Sequence, residues 1–282
     1  MQSKENNIEK NEIRILLLYL LKYVNLVCKK TNIPYYASAG TCLGALRHKG
    51  LIPWDDDIDI MIPRKYYDLF VNTCNKLIKH PVKIHTREND PYFCCEYIKL
   101  CFHDDIKEYS DLSLDVFFLD ETNPKRKFFR AFQNRILIDL YFVKKYKVYK
   151  KQKSDKYIPK NILKRIYIFI LSAFLSFNAI EKLLKKTMLL EKKECNYWIN
   201  WGSCYSYKKA TYSKKSFGTP QKVRYENTYI YIPEDPHVML SQLYGDDYMI
   251  PPPIEKQTNH NVSKIICKDL NIENIRKEIG LK

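Results

Sequence analysis

The run Asp55-Asp56-Asp57-Ile58-Asp59-Ile60-Met61-Ile62 constrains this chain more than any other stretch. It packs four carboxylates into five residues and then continues as an apolar alternation. Side chains on a strand repeat every two residues, so Ile58, Ile60 and Ile62 go to one face while Asp57, Asp59 and Met61 go to the other. Two acids therefore share a face at the start of a strand. Their Cα atoms lie about 6.5 Å apart, near enough for both carboxylates to hold one divalent ion or two adjacent ones. Left bare, the pair would repel itself, and a cation is the expected third party. A solvated or capping role is the alternative for such a pair taken alone. A calcium loop beginning at Asp55 would need glycine at its sixth position and glutamate at its twelfth. Those positions hold Ile60 and Tyr66, which excludes it.

Upstream, Gly40-Thr41-Cys42-Leu43-Gly44-Ala45-Leu46-Arg47 follows the short apolar run Tyr35 to Ala39 and reads as a turn opening a helix. Backbone amides at a helix start, flanked by small residues, can cradle a phosphate, and Arg47 can add a planar fork of donors. The glycines could equally serve only the turn and its packing.

The run G-T-x-L-G-x-x-R-x-K-G-x-I-P-W-D-D-D-I-D-I closely resembles the signature of the LicD family of phosphocholine transferases, related to the fukutin proteins, within the nucleotidyltransferase superfamily. Leu114-Asp115-Val116-Phe117-Phe118-Leu119-Asp120 resembles the family's second acidic strand. Leu243-Tyr244-Gly245-Asp246-Asp247-Tyr248, followed by Pro251-Pro252-Pro253, resembles its closing motif. Fifteen residues lie between Thr41 and Asp57, more than the wider superfamily uses, so the loop carrying Arg47 and Trp54 is family equipment.

The resemblance implies an α/β (α+β) fold, a nucleotidyltransferase-like mixed sheet flanked by helices with an inserted helical region. The implied reaction moves a phosphoryl-alcohol group, phosphocholine from CDP-choline in the first instance, to a hydroxyl of a cell-surface glycan precursor that can be lipid-linked. CDP-ribitol or CDP-glycerol are alternative donors. Asp57 and Asp59 would ligate Mg2+ or Mn2+, and Asp115 would complete the metal shell or accept the acceptor's proton. Gly40, Thr41, Gly44 and Arg47 would hold the diphosphate, with Trp54, Asp55 and Asp56 bracing the site. Asp115 also has a reading free of the resemblance. A lone acid in an apolar strand needs a partner, and either that metal or a salt bridge would serve.

With 282 residues the chain can bury a sizeable core. Forty-eight Lys and Arg against thirty-two Asp and Glu give +16, an excess that favours anionic partners or simply a lysine-rich solvated surface. A basic module binding membrane or nucleic acid is the competing function class. Such a module gains nothing from collecting Asp57, Asp59 and Asp115, so no nucleic acid is expected as a partner. Nine cysteines without a CxxC pair, mostly among apolar neighbours, suit free thiols in a reducing compartment. Cys94, Cys95, Cys101 and His103 offer poor zinc geometry, because adjacent cysteines cannot both reach one ion well.

The expected organisation is a catalytic core over 1–140, a basic helical insertion over 141–205, and a C-terminal part over 206–282 that completes the core. Helices are expected at 8–30, 41–48, 65–78 and 181–200, with another from Pro236 to Gly245. Strands are expected at 35–39, 57–62, 82–86, 96–102 and 112–118, giving about five in a mixed sheet, with a hairpin over 222–232 turning near Glu226-Asn227. Asp246 and Asp247 read as loop acids, and His260 as a hydrogen-bonding or phosphate-contacting residue.

Between Lys144 and Arg165 there are ten basic residues and one acid, and Ile166 to Ile180 then carries no charge. That run is shorter than the ~20 residues that cross a bilayer. It reads either as a core helix after a solvated linker or as an interfacial element contacting an anionic membrane. The N-terminus shows no signal-peptide pattern. The cytoplasm is the expected compartment, with a peripheral position at the inner membrane face as the variant that the basic segment supports.

Overall fold

The computed structural model describes residues 6–7, 10–90, 93, 95–106, 108–124, 136–141, 166, 170–171, 173–188, 194–257, 264–265, 267 and 269–281. Lys144 to Arg165 and His260, singled out above, lie outside the described residues.

A mixed sheet forms the centre. Its strands are β2 (Tyr36–Ala37), β3 (Ile58–Pro63), β4 (Val82–His85), β5 (Ile98–Asp104), β6 (Glu108–Thr122), β7 (Tyr197–Asn200) and β8 (Thr211–Ser213), while β1 (Asn6–Asn7) stands apart. The order β2-β3-β6-β5-β4 is extended by β7 pairing with β6, and by β8 pairing with β7. Only β3 and β6 run parallel among these pairs.

The alternation predicted for β3 is observed. Ile58, Ile60 and Ile62 are fully buried, and each contributes roughly 1.5–3 kcal/mol by leaving water. A one-residue register slip would exchange the two faces, so the isoleucines fix which face Asp59 takes. Strand β2 is shorter than the predicted Tyr35 to Ala39, because the next helix already begins at Ala39.

Helix α1 (Lys10–Thr31) crosses the sheet and packs against β6 and α3 (Tyr67–Leu77). Leu16, Leu17, Leu20, Leu21, Val24 and Val27 of α1 are fully buried, as expected of a helix apolar nearly all round. Lys29 and Lys30 lie in its last turn, where cations favour the helix dipole. On α3 the predicted stripe buries Phe70 and Cys74.

Two expectations need correcting. Residues 181–200 are not one helix: α4 spans Phe177–Met188, and Tyr197–Asn200 is strand β7, paired with Leu119 to Thr122 of β6. A short run such as Tyr-Trp-Ile-Asn cannot be told from helix by periodicity, and its partner strand decided. Residues 197–200 thus belong to the central sheet rather than to the insertion. The sheet also has seven strands among the described residues where five were expected.

The end of the expected core and the described part of the insertion together build a second, smaller core. Leu137, Leu140 and Tyr141 pack against Ile180 and Leu184 of α4. Of the uncharged run from Ile166, Ile180 is buried, whereas Ile166, Ile170 and Phe174 are 53, 52 and 82% exposed. Among the described residues, no helix is long and apolar enough to cross a membrane.

The C-terminal part supplies α5 (Lys214–Phe217), the hairpin β9 (Gln221–Tyr225) and β10 (Thr228–Ile232), and α6 (Pro236–Tyr244). β11 (Lys264–Ile265) pairs with β1, and α7 (Ile272–Glu278) packs on α1, where Lys22 and Glu278 form an ion pair at 2.9 Å. All the described cysteines are free thiols.

Candidate active site

The parallel register of β3 and β6 sets Asp59 directly beside Asp115. Neighbouring strands lie about 4.8 Å apart, so two acids on one pleat face are forced together by the backbone alone. Burial, then the carboxylates of Asp57, Asp115 and Asp55, hold Asp59 well above the usual carboxylate range, with Lys99 pulling the other way.

Asp115 is braced from the other side. Lys99 of β5 stands opposite it in the ladder and brings Nζ to 3.1 Å from Asp115 Oδ1. Ser113 Oγ donates to the same oxygen at 2.7 Å and accepts from Lys99 Nζ at 2.8 Å. Burial works against the lysine's charge, but Asp115, with Cys95 and Cys101 adding to it, leaves the Lys99 pKa above its ordinary value. The site is thus a carboxylate cluster with one built-in counter-cation.

Helix α2 (Ala39–Arg47) starts against this cluster. Thr41 Oγ1 accepts from the Asp59 amide at 2.8 Å, and the Ser38 amide donates to the Asp59 carbonyl at 2.9 Å. The helix start is therefore tied to the acid strand through both backbone polar groups of one residue, Asp59. Ser38 makes no side-chain cap, and Ala39 takes φ +40°, a left-handed conformation that an alanine adopts only when its surroundings impose it. The two predicted glycines play different parts. A Cβ on Gly40 would stand 3.0 Å from Asp55 Oδ2, so Gly40 lets the helix start approach the acids. A Cβ on Gly44 would meet the Gly50 carbonyl at 2.5 Å, so Gly44 serves packing of the following loop.

Arg47 ends α2 away from the helix start. Its Nη1 donates to the Tyr248 carbonyl at 2.9 Å, and its guanidinium lies 5.7 Å from the Trp54 ring centre. His48 meets the same indole edge-on at 6.0 Å. Trp54 therefore braces the arginine, while Asp56 is buried. The loop between α2 and β3 is held by Glu226 at the β9–β10 turn. The Glu226 carboxylate accepts from the Leu51 amide at 3.0 Å and pairs with Arg14 of α1, and its own amide donates to the Lys49 carbonyl at 2.7 Å.

Several site residues were not found from the sequence. Lys99 was one, since nothing local marks a lysine on an apolar strand as facing an acid. Tyr205 and Tyr244 are others, with ring centres 6.3 Å apart edge-to-face and both pKa values raised by burial first, with Asp55 and Asp59 adding to it. Tyr244 stands inside the Leu243 to Tyr248 motif, a signal that pointed to the segment but not to the ring. Asp246 and Asp247 of that motif are exposed turn residues, as expected.

Among the described residues, no group of three or more His, Cys, Asp or Glu converges with metal-holding geometry. The acids that act on Asp59, namely Asp57, Asp115 and Asp55, offer carboxylate oxygens, the kind of donor that Mg2+ and Mn2+ prefer. Their mutual repulsion is charge that a cation would offset. The donor set fits such an ion in kind.

Residues 32–171 match the family model described as LicD/FKTN/FKRP, nucleotidyltransferase domain. The chain is 28% identical over 262 residues to the lipopolysaccharide cholinephosphotransferase LicD of Haemophilus influenzae, covering 90% of this chain and 96% of that protein. It is also 49% identical over 53 residues to an uncharacterised protein of Rickettsia typhi, which covers 18% of this chain and 17% of that one. A Rickettsia prowazekii protein, also uncharacterised, is 50% identical over 50 residues, or 17% of this chain and 19% of the other.

Proposed function

Since this chain belongs to the LicD family, we propose that it is a transferase that moves phosphocholine from CDP-choline to a hydroxyl of a lipopolysaccharide-type glycan. The observation that carries this reading is the pairing of Asp59 with Asp115 in parallel register, beside the start of α2. Transfer of a phosphoryl group depends on positioning and charge neutralisation, and a rigid carboxylate cluster supplies both without a nucleophilic side chain.

In the reaction the acceptor oxygen bonds to phosphorus, the bond from phosphorus to the departing CMP breaks, and the hydroxyl proton leaves. Asp115 is the proposed proton acceptor. Lys99 and Ser113 both engage its Oδ1, which directs the other oxygen to this task. Asp57 and Asp59 would hold a divalent cation, which supplies charge neutralisation at the phosphates when bound. The amides at Gly40 and Thr41, on an uncapped helix start, would face phosphate oxygens. Arg47 is fixed by Tyr248 and Trp54 and would reach the diphosphate from the far end of α2. Tyr205 and Tyr244 offer ring faces beside acids, the chemistry that attracts a trimethylammonium group.

The bare stripe of Ile166, Ile170 and Phe174 lies at helical spacing in residues that are helical where described. It supports peripheral contact with the membrane that carries a lipid-linked acceptor.

The test is mass spectrometry of products after incubation of the full chain with CDP-choline, CDP-ribitol and CDP-glycerol in turn, with Mg2+ and a lipopolysaccharide acceptor. Phosphocholine-modified glycan is expected, and its loss in EDTA with return on added Mg2+ is expected as well. Modification by ribitol phosphate or glycerol phosphate alone would replace the donor, and full activity in EDTA would remove the metal.

A further inference from the structure

A cavity of about 310 Å3 lies away from the carboxylates, at the seam between the central sheet and the small helical core. That volume is at the low end of the range for ligand sites, roughly 300–1,000 Å3. Tyr67, Tyr97 and Phe118 supply aromatic walls, and Lys185 of α4 closes the side formed by the insertion.

The charges on the walls decide what can bind. Three cations, Arg64, Arg87 and Lys185, face three acids, Asp68, Glu88 and Glu96. Most are already engaged. Arg64 makes two 2.9 Å bonds to the buried Asp120, Arg87 pairs with Glu96, and Lys185 reaches Glu181 at 3.3 Å. Glu88 accepts from the Tyr67 hydroxyl at 2.6 Å. A phosphate would have to break one of these pairs to find a counter-charge, and a hydrocarbon would leave them facing an apolar surface. A neutral polyhydroxyl ligand avoids both costs. Its hydroxyls can add to paired groups that retain donors and acceptors, and its ring faces can lie against aromatic side chains.

Most of the cavity lies on the opposite face of β6 from Asp115, because Phe118 alternates with Phe117 and Arg64 binds Asp120 on the Phe118 side, while Tyr97 reaches round to the reacting face. Tyr97, which lines the cavity, meets Phe117 with ring centres 4.6 Å apart and planes tilted by 42°, and Phe117 is two residues along the same strand face from Asp115. Tyr97 and Phe117 thus link the edge of the cavity to the face that carries Asp115. We propose that this cavity binds a neutral sugar unit of the acceptor glycan, distinct from the unit that is modified. This rests on the glycan-transferase reading above. Binding energy from a non-reacting part of a substrate can be used to hold the reacting hydroxyl in place.

The test uses saturation-transfer NMR on the full chain with the methyl glycosides of glucose, galactose and N-acetylglucosamine, and with inorganic phosphate as the charged probe. At least one glycoside is expected to bind, unaffected by phosphate, and Glu88→Gln should weaken it about tenfold. Lys185→Ala should weaken it about threefold, and that side chain is too exposed for its loss to disturb folding. Asp59→Asn should bind the glycoside as the unaltered protein does. Absence of glycoside binding, displacement by phosphate, or unchanged binding in both pocket variants overturns the proposal. A protein that forms no phosphocholine product yet binds glycoside through Glu88 and Lys185 would fail the donor reading and leave the sugar site standing. Product formation with an acceptor KM unmoved by either pocket variant would sink the sugar site and leave the donor reading intact.

Discussion

Asp59 and Asp115 are register partners on the two parallel strands at the centre of the sheet, so their carboxylates share one face by backbone geometry alone. Neither needs a flexible loop to find the other. The burial and repulsion that raise Asp59 are a standing cost that the fold carries without a cation. Asp59→Asn should therefore lower transfer roughly a thousandfold while leaving the fold as stable or more so, by on the order of 1 kcal/mol. Thermal melting alongside a product assay checks both halves. A variant that melts well below the unaltered protein would mean the carboxylate is structural.

Lys99 is the counter-charge already built into the site. Its removal in Lys99→Met leaves Asp115 without that ion pair in a largely buried position, at a cost of about 3 kcal/mol. Denaturant titration should show this loss, and the double variant Lys99→Met with Asp115→Leu should recover most of it. No recovery in the double variant would show that Lys99 contributes through its packed methylenes instead.

Arg47 is held by a carbonyl and an indole, so its planar fork is already oriented. Arg47→Ala is expected to raise the KM for CDP-choline about tenfold, and Arg47→Lys should not restore it, because an ammonium can neither stack on Trp54 nor donate in a fork. A lysine variant with normal KM and kcat would reduce the residue to a diffuse positive charge.

Ile166, Ile170 and Phe174 are exposed enough that changing all three to Ser should leave the melting temperature within experimental scatter. The same triple variant should lose sedimentation with vesicles of phosphatidylglycerol and phosphatidylethanolamine. Lys150→Glu, Lys151→Glu and Lys153→Glu together should weaken binding further, because each basic residue near an anionic surface contributes about 1 kcal/mol. A protein that ignores these vesicles even at low salt would leave the stripe without a membrane role.

Local pattern alone determined a good part of this protein. The period-two alternation of Ile58, Ile60 and Ile62 specifies the strand, its buried face and the face of Asp59, because burial of three isoleucines outweighs any other register. The turn at Glu226-Asn227 and the helix begun by Pro236 were legible for the same reason: their chemistry lies within a few residues. The family signature around the acids was likewise a contiguous run. What the tertiary structure decided is non-local. Tyr197–Asn200 reads as helix or strand until β6 offers it a ladder, and Lys99 gains its meaning only when β5 places it opposite Asp115. Tyr205 and Tyr244 come from separate segments, and the sugar-sized cavity is walled by five stretches of chain. Side-chain periodicity states which face a residue takes. Only packing between distant segments states what that face meets.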